Sequence, residues 1–328
     1  MGVTSHDVAR LAGVSQPTVS RALRDDARVT AETKRRVREA AEALGYVRSD
    51  LGRSLSTQAT HRVALVAELG NTLYHQLIAP IHDELLDRGY RMSLFAERGE
   101  DGALAERLLD RSVDGAILMT TRLGSSLPSE LARRRLPLVF LNRVGGIVEA
   151  PSVTADNVGG SRSAAQLLLE LGHTRIGAIL GPSDTSTARD REAGYRLALD
   201  DAGIALPSKW LYRLDYDHES GRLGLGAMVE SGDLPTAILC ANDDIAIGVL
   251  NKAIELGVSV PDDIAVIGFD DVDMAAWPAF ELTTVRTTLL EMSRSAAALL
   301  VDQLESRRAV DDKVFPTELV RRRTHART

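Results

Sequence analysis

From Arg62 onward, short apolar runs alternate with amphipathic stretches, and this alternation constrains the fold more than any other feature of the chain. Val63–Ala67, Arg91–Ala96, Gly115–Thr120, Leu138–Leu141, Arg175–Leu180, Ala237–Ala241 and Ala265–Phe269 read as strands. Between them, Tyr74–Arg88, Gly160–Leu171, Arg189–Ala202 and Asp244–Leu256 read as helices, and several stop at a glycine (Gly89, Gly172, Gly203, Gly257). Such β/α alternation argues for parallel sheets with helices on both faces. Roughly 260 residues of it exceed one sheet and suit two Rossmann-like subdomains.

The first 60 residues have a different grammar. Thr4 is placed to cap a helix, with Asp7 completing an acidic capping box. Val8, Leu11 and Ala12 give that helix an apolar face, and Gly13 ends it. Ser15 caps a second helix with Pro17 in its first turn, where the missing N–H costs nothing. Val19 and Leu23 point inward, which leaves Gln16, Pro17, Ser20 and Arg21 facing out. Thr30 caps a third helix, from Ala31 to about Leu44, closed by Gly45. Its Lys34, Arg35 and Arg38 are either a solvated face or phosphate contacts.

Charge separates the two regions. Residues 1–58 hold ten Lys and Arg against seven acids, or +3; the other 29 basic and 39 acidic residues leave −10 on the remainder. A basic head on an acidic body is expected where one end meets phosphates. No apolar run approaches the roughly 20 residues of a membrane span. The polar N-terminus has no apolar signal region, so a cytoplasmic protein is expected. Cys240, the single cysteine, lies in an apolar run and reads as a buried small hydrophobe.

Catalytic constellations are missing from the sequence: it has no Gly-x-Ser-x-Gly, His-Glu-x-x-His or phosphate-loop motif. Gly221–Gly226 has the wrong spacing for a dinucleotide fingerprint and suits helix packing. His173 reads as a structural cap. The pairs Asp243-Asp244, Asp262-Asp263 and Asp270-Asp271 fall at element ends, where carboxylates cap N–H groups. No enzyme, cofactor or metal is expected. Asp270 and Asn242 have a positive rationale, because each follows a strand, and the crevice of an open parallel sheet lies beyond the C-terminal strand ends. Tyr74, after the first strand, is an aromatic candidate for the same crevice.

Taken together, Val3-Thr4-x-x-Asp7-Val8-Ala9-x-x-Ala12-Gly13-Val14-Ser15-x-x-Thr18-Val19-Ser20-Arg21-x-Leu23 resembles the headpiece of the lactose-repressor family of bacterial transcription regulators. Further local matches, among them Leu171–Gly177, Ala241–Gly248, Gly268–Asp271 and Leu282–Val285, extend the resemblance over nearly the whole chain. It implies an α/β protein: an all-α helix-turn-helix headpiece plus a two-lobed periplasmic-binding-protein-like core of parallel sheets. The expected domains are the headpiece over 1–46, a hinge segment over 47–60 and an effector-binding and dimerisation core over 61–319. Lobes of about 61–158 with 287–319, and 159–286, are expected within the core, followed by an unstructured basic tail over 320–328.

The resemblance also implies roles for residues. Leu55 matches the hinge leucine that wedges into the minor groove. Gly52 replaces a usual alanine there, at about 1 kcal/mol of helix propensity. Arg191 matches an effector-gripping Arg-x-x-Gly-aromatic pattern. Tyr216 and Trp277 stand at aromatic-wall positions, with ordinary packing as the alternative for each. Asn142 stands where the family often has Asp. One acid and one arginine suit a small neutral polyhydroxylated ligand, with a sugar favoured and a nucleoside or purine corepressor as the alternative. The expected protein is a homodimeric repressor of a palindromic double-stranded DNA operator. Gln16, Pro17 and Arg21 are expected at base edges, and Thr4, Ser15, Thr18 and Ser20 at phosphates. The C-terminus carries no heptads, so no added tetramerisation helix is expected. A solute-binding protein or a sugar-modifying enzyme are the rival classes.

Overall fold

The computed structural model describes residues 3–46, 59–70, 72–97, 101–145, 147–306 and 311–326. The chain divides into two compact units, 1–60 and 61–328.

In the first unit, α1 (Ser5–Ala12), α2 (Gln16–Leu23) and α3 (Ala31–Ala43) enclose Val8, Ala9, Ala12, Val19, Ala22, Val37 and Ala40. The Asp7 carboxylate accepts from the Thr4 N–H at 3.0 Å and the Thr4 hydroxyl at 2.7 Å, which fixes the start of α1. Gly13 (φ 64) ends it in the left-handed region, and Arg36 donates to the Ala12 carbonyl beside it. Leu11 is not on the buried face, contrary to expectation: it is 56% exposed. The buried stripe is 8, 9 and 12, and at 100° per residue position 11 falls on its margin.

The second unit holds two six-stranded sheets. The first has the order β11-β5-β4-β3-β1-β2, all parallel, built from β1 (Arg62–Ala67), β2 (Arg91–Ala96), β3 (Gly115–Leu118), β4 (Leu138–Leu141), β5 (Ser152–Ala155) and β11 (Lys313–Phe315). The second has the order β12-β10-β9-β8-β6-β7, from β6 (Ile176–Leu180), β7 (Leu211–Arg213), β8 (Ala237–Cys240), β9 (Ala265–Asp270), β10 (Thr283–Thr287) and β12 (Thr317–Val320). Its only antiparallel pair among the described residues is β10 with β12. Both sheets reverse strand order beside their first strand, between β1 and β3 and between β6 and β8. Those switch points open crevices at the C-terminal strand ends.

The chain passes between the sheets near 156, near 288 and at Pro316. The helix Leu289–Ser306 packs on the first sheet. The lobes are therefore 62–155 with 289–315, and 157–287 with 317–326, so β12 sits in the second lobe and not the first. The tail is also folded, through partners in that second lobe: the Thr324 carbonyl accepts from Val266 N–H at 2.7 Å, its hydroxyl donates to the Val266 carbonyl at 2.6 Å, and Thr283 N–H donates to that hydroxyl at 2.9 Å. Residues 321–326 thus correct the expectation of an unstructured tail, because they satisfy backbone groups of β9 and β10. Cys240 is buried, as its apolar run suggests. Gly221 and Gly248 allow the helix His218–Glu230 to touch Asp243–Leu256, since a Cβ at either would meet backbone.

Thr324→Val keeps the shape but removes both hydroxyl bonds, stranding the buried Thr283 N–H. The expected cost is about 1–3 kcal/mol in urea denaturation; an unchanged midpoint would mean the tail does not hold the second sheet.

Candidate functional site

Two surfaces carry the residues singled out by the sequence. The first is the outer face of α2. Thr18 N–H donates to the Ser15 hydroxyl at 3.4 Å, capping the helix, and Gln16 Nε2 reaches the Ser5 hydroxyl at 3.3 Å, tying α2 to α1. Pro17 and Arg21 are exposed, and Thr18 and Ser20 half-buried. Three of the four basic residues of α3 are matched with acids, Lys34 with Asp25 at 3.0 Å, Arg38 with Asp25 at 3.2 Å and Arg35 with Glu39 at 3.2 Å, and Arg36 donates to the Ala12 carbonyl. Arg21, by contrast, has no ion pair among the described residues. An exposed, uncommitted guanidinium on a capped helix is available to an external partner. Leu55 and Gly52 lie outside the described residues.

The second surface is the crevice at the C-terminal strand ends of the two lobes. Its centre is Arg191, on the helix α4 (Ser186–Asp201), which Thr185 caps by accepting from Ala188 N–H at 3.3 Å. Arg191 Nη2 donates to Asp270 Oδ1 at 2.8 Å, Nε to Asn157 Oδ1 at 2.8 Å, and Nη1 to the Ala241 carbonyl. Its guanidinium lies 3.8 Å from the Phe269 ring centroid. Gly194 makes this possible, because a Cβ there would strike the Val158 carbonyl of the neighbouring helix that presents Asn157. The pair is almost completely buried. Burial pushes the Asp270 carboxyl above its ordinary value, and Arg191 partly offsets the rise.

Asp270 (φ 106) and Asp271 (φ 57) both occupy left-handed backbone, at about 1–3 kcal/mol each. Surrounding bonds hold the turn. Asp271 accepts from Arg286 Nε at 2.7 Å and Arg322 Nη2 at 2.7 Å, and Val272 N–H donates to Asp243 Oδ2 at 2.9 Å. The tail residue Arg322 thus helps to aim Asp270. Asp243 also takes the Thr284 hydroxyl, and burial pushes its carboxyl well above the ordinary 3.8.

Tyr216 lies over Gly181, where a Cβ would enter its ring, and its hydroxyl is 3.0 Å from that of Thr187. Asn242 spends its side-chain oxygen on the Ile245 N–H at 3.0 Å as a helix cap, leaving its NH2 for other partners. Tyr74 is buried, which raises its phenol to about 12. Asn142 (φ 68) is buried after β4. Trp277 is 52% exposed at the end of a short 3₁₀ turn, outside the hydrogen-bonded cluster. Sequence reasoning missed Arg143, which is buried with its guanidinium 4.9 Å from the Tyr216 ring centroid. The missed signal was an arginine directly following four apolar strand residues and Asn142. Bonds that join the lobes include Arg122 to Asp184 at 2.8 Å, Leu123 N–H to the Asp184 carbonyl at 2.7 Å, and Val144 N–H to the Ser186 hydroxyl at 3.0 Å.

Comparison with known proteins matches this geometry. Residues 4–49 match the family model for bacterial regulatory proteins of the lacI family, and residues 165–325 match the periplasmic binding protein-like domain. The repressor CytR of Escherichia coli (strain K12) is 30% identical over 306 residues, covering 92% of this chain and 90% of that protein. The chain belongs to the lacI family. The ribose operon repressor of the same strain is 31% identical over 308 residues, 92% of this chain and 93% of that protein. Among solved structures, a Lac repressor dimer bound to operator and the anti-inducer ONPF aligns with a TM-score of 0.88 at 27% identity over 99% of both chains. A transcriptional regulator CelR–cellobiose complex aligns at 0.74 and 30% identity, over 98% of this chain and 99% of that one. As a lacI-family protein, this chain is a DNA-binding transcriptional repressor with an effector-binding domain. Among the described residues, no helix is long and apolar enough to cross a membrane.

The raised Asp243 carboxyl gives this family member a pH signature. A carboxyl whose folded value lies above its unfolded one holds more protons folded than unfolded, so its contribution to stability falls as pH rises above about 3.8. Asp243→Asn mimics the protonated side chain and removes that dependence. Its stability relative to wild type is expected to improve as pH rises from about 4 in paired urea titrations. A pH-independent difference would contradict the raised value.

Proposed function

We propose that this repressor acts as a homodimer on a palindromic operator and is controlled by a small polyhydroxylated ligand, a sugar, held between the lobes. The observation that carries the ligand reading is the buried Arg191–Asp270 pair at the strand ends. Of the five guanidinium N–H groups, three are taken by protein, leaving two to donate to a ligand while a carboxylate beside them accepts. That juxtaposition suits vicinal hydroxyls, each both donor and acceptor, and the Tyr216 ring suits the apolar face of a sugar. The cellobiose complex of a structural neighbour and the ribose operon repressor among the relatives support a sugar.

On the headpiece, Gln16, Pro17 and Arg21 meet base edges, with Arg21 placed for a bidentate guanine contact. Thr4, Ser15, Thr18 and Ser20 meet phosphates and set register. Leu55 enters the minor groove as the hinge wedge. In the core, Asn142, Asn242 and Tyr74 line the ligand site with Asp270, Arg191 and Tyr216, and Trp277 forms its outer wall. Exposed Leu223 and Ile254, on helices tied by Arg222 and Glu255, are candidates for burial between subunits. The protein works in the cytoplasm, without cofactor, metal or catalytic role.

The mechanism is linkage: ligand and operator favour different arrangements of the dimer, so each changes the affinity for the other by the same factor. The ties between lobes suit such a switch, since a half-exposed pair like Arg122–Asp184 holds closure by about 0–1 kcal/mol.

Two variants test the division of labour. Arg21→Ala is expected to weaken retardation of DNA from the protein's own upstream region by about 1–3 kcal/mol, while a sugar that raises the wild-type melting temperature still does so. Asp270→Asn is expected to lose that sugar-induced rise. Undiminished DNA binding in the first, or an undiminished sugar response in the second, would remove that residue from its site.

A further inference from the structure

The charge balance of the crevice is altered by Arg143. The expectation of a neutral ligand rests on one acid and one arginine, and those two groups neutralise each other as the Arg191–Asp270 pair. Arg143 adds a second cation, only 5% exposed. Among the described residues it has no carboxylate within 4.0 Å, and its Nε has no hydrogen-bond partner. Its guanidinium lies over the Tyr216 ring, 4.9 Å from the centroid.

Magnitudes show that this arrangement is incomplete. Desolvating a cation costs more than a single cation–π contact returns. A cation buried for structural reasons would be matched as Arg191 is, by a carboxylate, an amide and a carbonyl. Arg143 also faces the crevice from a controlled position. Asn142 turns the chain through left-handed backbone just before it, and Val144 N–H is fixed to Ser186 of the other lobe just after it. Its charge acts on Tyr74, on one lobe, and on Asp270, on the other. Glu68 and Asp244 act on those same groups, Glu68 on Tyr74 and Asp244 on Asp270, yet neither forms an ion pair with Arg143.

We propose that Arg143 receives an anionic group of the effector, a carboxylate or a phosphate, while Arg191 and Asp270 hold its hydroxyls. The effector is then a sugar acid or a sugar phosphate, not a neutral sugar. This rests on the placing of the ligand between the lobes, and it supplies the missing counter-ion: a planar guanidinium matches either oxyanion with two parallel N–H donors.

The test is thermal denaturation of the full chain in two arms. Sodium phosphate is titrated against sodium chloride of equal ionic strength, and sodium gluconate against glucose with matched sodium chloride. A saturable rise of about 2–4 °C is expected in at least one arm, and which arm responds distinguishes phosphate from carboxylate. Arg143→Gln is expected to lose that rise and, without anion, to melt no lower than wild type, since it removes an unmatched buried charge. Comparison with this variant also separates anion binding at the headpiece, which it would leave in place. No saturable rise in either arm, a rise of wild-type size in Arg143→Gln, or a clearly lower anion-free melting temperature in that variant would each overturn the proposal. DNA retardation by the wild-type protein is read alongside. DNA binding without an anion response defeats the anion site alone, whereas an Arg143-dependent anion response without DNA binding leaves it standing.

Discussion

The second lobe is organised around the buried ion pair of Arg191 with Asp270. Removing two charges from water costs several kcal/mol per ion, which attraction offsets only when geometry is good and the remaining donors are satisfied. Here three of the five guanidinium N–H groups are taken by protein, from several elements at once. Asn157 comes from the start of one helix, the Ala241 carbonyl from the end of β8, and Phe269 from β9 itself. Arg191 therefore pins the C-terminal ends of neighbouring strands to α4, in the place where an open parallel sheet forms its crevice. The strained backbone at Asp270 and Asp271 is tolerated because Arg286, Arg322 and Asp243 fix the turn from outside.

The first lobe contributes differently. Its side of the crevice consists of Tyr74, Asn142 and Arg143, which have no comparable network of mutual hydrogen bonds recorded among the described residues. Its ties to the second lobe include the half-exposed Arg122–Asp184 pair and the Val144–Ser186 bond. A half braced by its own hydrogen bonds, facing a half tied to it in part by exposed contacts, suits ligand-dependent closure.

Much of this was legible in the sequence where the signal was local or periodic. The caps at Thr4, Ser15 and Thr30, and the buried strands of the sheet centres, follow from residue type and spacing. Asp270 was legible as an acid after a strand, whereas Arg191 entered through resemblance. What was not legible depends on distant partners or very short elements. Strands β7, β11 and β12 have three or four residues, too few to show alternation. The arginine-rich tail reads as a solvated charge run until Asp271 and Glu281, some 40 to 50 residues away, are brought beside Arg322 and Arg323. Leu11 looked inward because three apolar residues fit helical spacing, but an eight-residue helix buries only its narrowest stripe. Arg143 was missed because its burial depends on the left-handed turn at Asn142, which sequence does not disclose.

The most direct measurement is a double-mutant cycle on the central pair. Arg191→Met, Asp270→Asn and the combined variant are compared with wild type by urea denaturation. If the pair holds the crevice together, Arg191→Met alone costs about 3–5 kcal/mol, because it leaves a buried carboxylate unmatched. The double variant then loses clearly less than the two single losses combined. Losses that add to within about 0.5 kcal/mol would show that the two residues act independently, and would contradict this account.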